Sequence, residues 1–109
     1  MTATGNQSAS VSSTLFVALE LSKSVWKHAF ACADHPSLRI RNVAAGDLQQ
    51  FESELLAAKR KFELDDDAAT VTCYEAGRDG FWIHRALETM GLTNHVIESA
   101  SPKRLGSVV

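Results

Sequence analysis

The hydrophobic pattern of this chain changes period once, near residue 47, and that change constrains the fold more than any other feature. Before it, residues 14–21, 25–33 and 38–43 form short apolar or alternating runs, which are typical of β-strands. Short loops join these runs, so they are expected to form an antiparallel meander. After it, apolar residues recur at helical spacing as far as Phe62, and Asp47 is expected to cap that helix.

The remaining pattern predicts two strand-helix units. Residues 69–75 read as a fourth strand, and a second helix starts around residue 80 with Asp79 as its expected N-cap and Gly91 as its stop. Residues 94–98 read as a fifth strand. Right-handed crossovers then give an α/β fold of the order βββαβαβ, with one mixed sheet in strand order 3-2-1-4-5. This order matches the ribonuclease H-like layout.

Composition limits the function classes. Residues 1–13 are small and polar and are expected to be a disordered tail, which leaves residues 14–109 as one domain. The net charge of −2 excludes a global attraction to nucleic acid, so only local basic clusters could contact it. The four histidines and two cysteines lack metal-site spacing, so no zinc site is expected. Reduced cysteines and the lack of a signal peptide or apolar span predict a cytoplasmic protein without membrane contact.

Two carboxylates end two of the predicted strands. Glu20 closes the first strand and Glu75 closes the fourth, and these strands are neighbours in the predicted order. Neighbouring strands lie about 4.8 Å apart, so the two carboxylates could share one Mg²⁺ or bracket two. Other interpretations stay open. Glu20 could form a salt bridge with Lys23 or Lys27, and the Glu75 carboxylate could stabilise the N-terminus of the following helix.

Three segments resemble a known family. They are FVALELSK at residues 16–23, CYEAGRDGFW at residues 73–82 and VIESASP at residues 96–102. Together they resemble the N-terminal part of insertion-sequence transposases with a RuvC-like DEDD catalytic domain, the bridge-RNA-guided recombinase class. The resemblance runs from about Leu15 to Arg104, and its most specific part is the Tyr-Glu-Ala-Gly motif.

The resemblance implies a DNA-recombining enzyme with Glu20 and Glu75 as catalytic ligands of Mg²⁺ (or Mn²⁺). Glu20 stands where Asp is commoner in the family. The family's other two carboxylates and its serine-bearing domain would lie beyond Val109, so we expect a C-terminally truncated domain that is inactive alone. DNA and a guide RNA are the implied partners, and the apolar surface that a truncated domain would leave uncovered predicts association with further copies of the chain. The implied nucleic-acid contacts are Lys23, Arg78, Lys103 and Arg104.

Two rival functions remain at this stage. One is a non-catalytic nucleic-acid-binding or assembly module built on the same fold. The other is an actin-like phosphate-binding enzyme, but the turn after the first strand, residues 19–23, lacks the Gly-rich motif of that class. Phe81 and Trp82 could stack on a base, although packing on the sheet is favoured for both. Trp26 is expected in the core or at a partner interface. The acidic run at residues 65–67 is expected to be a solvated loop.

Overall fold

The computed structural model describes residues 13–76 and 80–98. Its elements confirm the predicted order βββαβαβ, with bounds close to the predicted ones. They are β1 (Leu15–Glu20), β2 (Val25–Cys32), β3 (Arg39–Ala44), α1 (Leu48–Lys61), β4 (Thr70–Glu75), α2 (Gly80–Thr89) and β5 (Thr93–Ile97). The predicted tail, apart from Ser13, and the predicted cap Asp79 lie outside the described residues.

The five strands form one mixed sheet in the order β3-β2-β1-β4-β5, as predicted. β1 and β2, and likewise β2 and β3, pair in antiparallel fashion, whereas β4 runs parallel to β1 and β5 parallel to β4. The register of β1 with β4 runs from Leu15 opposite Thr70 to Leu19 opposite Tyr74. This mixed sheet with two helices is consistent with a ribonuclease H-like fold.

Both helices cover the same face of the sheet. The two crossovers, from β3 to β4 and from β4 to β5, advance in the same direction, and right-handed connections of that kind place both helices on one side. The core on that face joins Leu15, Val17 and Leu19 of β1 to Phe51 of α1 and Ile83 of α2. Burial of this face supplies most of the hydrophobic stabilisation of the domain.

The opposite face of the sheet has no helix on it within the described residues, and we call it the open face. Side chains alternate along a strand, so the open face takes every second residue of each strand. Small and apolar side chains dominate its middle, and most of them are partly or fully exposed: Phe16, Ala18, Ala29, Ala31, Ile40, Val71 and Cys73.

Local signals explain where α1 begins and ends. The Asp47 carboxylate accepts a hydrogen bond from the Gln50 backbone N–H at 2.9 Å, which confirms the predicted cap. At the other end, the N–H groups of Glu63 and Leu64 donate to the carbonyls of Arg60 and Lys59, which is a Schellman arrangement. This arrangement puts Glu63 in the left-handed region with φ 61°.

We expect Glu63→Gly to raise the free energy of unfolding by about 0.5–1 kcal/mol. A left-handed conformation costs a residue with a Cβ about 1–2 kcal/mol, and glycine avoids that cost while losing more backbone entropy on folding. Urea unfolding followed by circular dichroism measures the change. The converse control is Gly91→Ala, because Gly91 has φ 87° and confirms the predicted stop of α2. A Glu63→Gly variant that is less stable than the parent would contradict this account.

Candidate functional site

The two predicted carboxylates lie side by side at one edge of the sheet. Glu20 and Glu75 are the last residues of β1 and β4, and they directly follow the registered pair Leu19 and Tyr74. Neighbouring strands are about 4.8 Å apart, so the backbones of the two glutamates lie at one level on adjacent strands. Both side chains belong to the open face and both are exposed. The structure therefore brings the two residues together, and their catalytic role stays a prediction.

Glu20 has one ionic neighbour in the described part of the chain. The Nζ atom of Lys27 lies 3.8 Å from Oε1 of Glu20, and the two residues face each other across β1 and β2. Of the two lysines that the sequence offered as partners, the structure selects Lys27. The side chains are 53% and 78% exposed, and exposed pairs of this kind contribute about 0–1 kcal/mol. Such a weak ion pair leaves Glu20 free to take another cation.

The chemistry of this pair fits a hard divalent cation. Carboxylate oxygens are the preferred protein ligands of Mg²⁺, which also keeps several waters and accepts few protein ligands. Within residues 13–76 and 80–98, no group of three or more His, Cys, Asp or Glu side chains could hold a metal ion. The described residues thus contribute at most two side chains of these four types to any one ion.

A buried polar network lies on the other face of the sheet behind Glu75. Thr72 Oγ1 donates to Asn94 Oδ1 at 2.6 Å, and the Asn94 amide lies 2.9 Å from Nδ1 of His84. Glu88 accepts a hydrogen bond from the Asn94 backbone N–H. Burial raises the pKa of Tyr74, and hydrogen bonds from His84 and Asn94 oppose that rise. These contacts tie α2 to β4 and β5 and hold the strand end that carries Glu75.

The other predicted nucleic-acid contacts are only partly visible. Lys23 is exposed in the turn after β1, on the same edge as Glu20. Arg78, Lys103 and Arg104 lie outside the described residues, so their predicted roles stay predictions. In the acidic run, Asp66 is exposed and pairs with Arg60 at 3.1 Å, as a surface loop would.

An ionic cluster between α1 and β3 has no counterpart in the sequence interpretation. Glu54 accepts from Arg39 at 2.9 Å and Gln50 at 3.2 Å, and Arg41 lies 3.3 Å away. Burial alone would raise the pKa of Glu54, but the Arg39 hydrogen bond and the Arg41 charge lower it below its usual value. Glu54 therefore offsets part of the positive charge of Arg39 and Arg41, which could have formed a basic patch. The sequence signal for this ionic cluster was the spacing of Arg39 and Arg41, which puts both side chains on the face of β3 that α1 covers.

The aromatic residues near this edge divide into buried and exposed ones. Trp26 is 4% exposed, which confirms its predicted place in the core. Trp82 lies against it, with ring centroids 6.0 Å apart, and keeps 41% of its surface exposed. The prediction that Phe81 packs on the sheet is wrong, because Phe81 is 78% exposed. It lies about 200° around the helix from Ile83, whose buried side chain fixes which face of α2 meets the sheet.

Most of this chain is similar to a known protein. The chain is 35% identical over 89 residues to a protein named "Putative transposase y4rJ" from Sinorhizobium fredii (strain NBRC 101917 / NGR234). The match includes 79% of this chain and 22% of the relative, so the chain spans about a fifth of that protein's length. No family model matches the chain. Within the described residues, no helix is long and apolar enough to cross a membrane.

Proposed function

We propose that the chain is the N-terminal catalytic-domain portion of a DNA transposase, acting on DNA phosphodiesters with Mg²⁺ or Mn²⁺. The observation that carries the proposal is the placement of Glu20 and Glu75 at the adjacent ends of β1 and β4. Similarity to a protein named as a transposase supports the same function and DNA as the partner. The strand order supports a ribonuclease H-like, RuvC-like fold. A protein with this function would act in the cytoplasm.

Glu20 and Glu75 would hold the cation from two adjacent strands. When bound, a divalent ion stabilises negative charge on a phosphate and activates an attacking oxygen. The parallel strands β1 and β4 fix the spacing of the two carboxylates, and the network of Thr72, Asn94 and His84 supports the second of them. Lys27 would release Glu20 when a cation binds, because its ion pair is long and exposed.

The chain alone would be a weak catalyst or an inactive one. Two carboxylates are half of the acidic set that the family resemblance implies, so a bound Mg²⁺ would be held loosely. The open face also exposes Ala18 and Ile40. Uncovered apolar surface of this kind favours association, either with the rest of a longer protein or with a second copy of the chain. A guide RNA would be a partner of the longer protein in this proposal.

A non-catalytic nucleic-acid-binding module is the second candidate. The observation in its favour is that the described residues contain no group of three or more His, Cys, Asp or Glu side chains that could hold a metal ion. Such a module would bind nucleic acid through Lys23, Lys27 and other cations, with strong salt dependence and no need of Glu75. The two candidates therefore differ in what Glu75 does.

We expect a Mn²⁺ titration of the ¹⁵N-labelled protein to broaden the amide signals around Glu20 and Glu75 first. The paramagnetic ion broadens signals near its binding site, and the two carboxylates end the neighbouring strands β1 and β4. Glu75→Gln should abolish the localised broadening, because one remaining carboxylate binds the ion poorly. Two-dimensional NMR spectra at rising Mn²⁺ concentration provide the measurement.

The matched control is Asp66→Asn, which removes a comparably exposed carboxylate from the acidic loop. That loop follows α1, well away from Glu20 in the sheet. The amide signals around Glu20 and Glu75 should broaden in this variant as they do in the parent. Broadening confined to the amide signals of residues 65–67, or the lack of any localised broadening, would contradict the proposed metal site. The nucleic-acid-binding module would then be the better function.

A further inference from the structure

The first turns of α2 carry two large aromatic side chains on the surface. Phe81 is 78% exposed and Trp82 is 41% exposed, although the same helix buries Ile83 and Leu87 almost completely. Arg85 is exposed one turn further along, beside both aromatics in the helical repeat. We call these three residues the aromatic ridge. Exposed aromatics combined with a cation are the usual composition of a surface that binds single-stranded nucleic acid.

One side chain of the aromatic ridge, Trp82, is held in place by the core. The Trp82 ring lies on the buried ring of Trp26 at a centroid distance of 6.0 Å and a tilt of 35°. Trp26 belongs to β2, which is fixed on both sides by β1 and β3. The orientation of Trp82 is therefore set before any ligand arrives, so little side-chain entropy is lost on binding.

The ridge also lies at the edge of the sheet that carries the acidic pair. Trp26 directly precedes Lys27, and Lys27 is the cross-strand partner of Glu20. On the other side, α2 starts soon after Glu75, the last residue of β4. The ridge and the acidic pair thus lie at the same end of the sheet, with the ridge on the helix side and the pair on the open face.

We propose that the aromatic ridge binds an unpaired nucleotide, with the base stacked on Phe81 and the adjoining phosphate paired with Arg85. Arg85 is available for this role, since it forms no ion pair within the described part of the chain. Lys23 and Lys27 add positive charge at the same edge. Any role of this nucleotide in a reaction at Glu20 and Glu75 rests on the proposed function, whereas binding itself needs no metal.

The test is binding of a fluorescein-labelled oligothymidylate of roughly 12 nucleotides, followed by fluorescence anisotropy in low salt with EDTA present. We expect Phe81→Ala to weaken binding about tenfold, the loss typical of one stacked base. The matched control is Leu38→Ala, which removes a 59% exposed side chain just before β3, at the opposite end of the sheet. It should bind as the parent does. Melting curves check that both variants fold.

Further arms identify the ligand and separate the two proposals. Oligouridylate binding as tightly as oligothymidylate would support the unpaired base and assign the site to RNA as well, and a duplex of the same length should bind much more weakly. Because the binding assay contains EDTA, it does not depend on a metal, and a failed Mn²⁺ titration is therefore distinguishable from a failure of the aromatic ridge to bind. Equal affinities of Phe81→Ala and Leu38→Ala, preference for the duplex, or no binding would overturn the ridge proposal.

Discussion

We expect acidification from pH 6.5 to pH 4 to lower the free energy of unfolding by about 3 kcal/mol through His28. His28 is fully buried, and neither ring nitrogen has a hydrogen-bond partner in the described structure. Its ring contacts Phe51 at a centroid distance of 4.7 Å and Phe30 at 6.1 Å. Desolvation in this site lowers the pKa of His28 from 6.5 to about 4, and the charge of Glu54 opposes that fall.

The sign of the effect follows from proton binding. Between pH 6.5 and pH 4 the unfolded chain carries a proton on His28 and the folded chain does not. Folding stability rises with pH wherever the unfolded state binds more protons, so it falls as the pH is lowered through this window. Each pKa unit corresponds to about 1.4 kcal/mol, which gives about 3 kcal/mol for the full difference. Most of the loss occurs above pH 4.5, before Glu54 adds its own acid dependence.

Urea unfolding at several pH values between 4.5 and 6.5 measures this effect. His28→Leu should flatten the dependence, and it should also remove two unsatisfied nitrogens from the core. The matched control is His95→Gln, because His95 is exposed on β5 and should leave the dependence intact. If His28→Leu and the parent lose stability in parallel as the pH falls, His28 is not the responsible group.

Much of the architecture could be predicted because its signals are local. Hydrophobic period separates strands from helices within a few residues, and Asp47 and Gly91 act on their own helix ends. Chain order and the right hand of crossovers then fix the strand order. The adjacency of Glu20 and Glu75 follows from that order, since each is the last residue of one of two neighbouring strands.

The remaining features depend on how the elements are rotated against one another. The spacing of residues does not show that Phe81 faces solvent, since that depends on which side of α2 meets the sheet. The burial of His28 depends on Phe51 of α1 lying over β2. The exposed position of Glu20 allowed either Lys23 or Lys27 as its partner, and the pairing of β1 with β2 selects Lys27.

We expect Glu54→Ala to lower the free energy of unfolding by about 2–3 kcal/mol. The Glu54 side chain is 11% exposed and holds Arg39 and Arg41 of β3 against α1. Removing one partner of a buried ion pair costs about 3–5 kcal/mol, because the remaining charge stays desolvated and unpaired. Arg39 and Arg41 are 22% and 49% exposed, so water takes up part of that cost and the expected loss is smaller.

Asp66→Ala is the matched control, since Asp66 pairs with Arg60 where both side chains are more than half exposed. We expect that variant to lose much less stability, because water and salt screen an exposed ion pair. Arg39 Nε is already buried without a hydrogen-bond partner, so the loss of Glu54 would leave this guanidinium still less compensated. Combining Glu54→Ala with Arg39→Leu should therefore recover part of the stability. Equal losses in the two single variants, measured by urea unfolding at neutral pH, would mean that the cluster is no more than a surface contact.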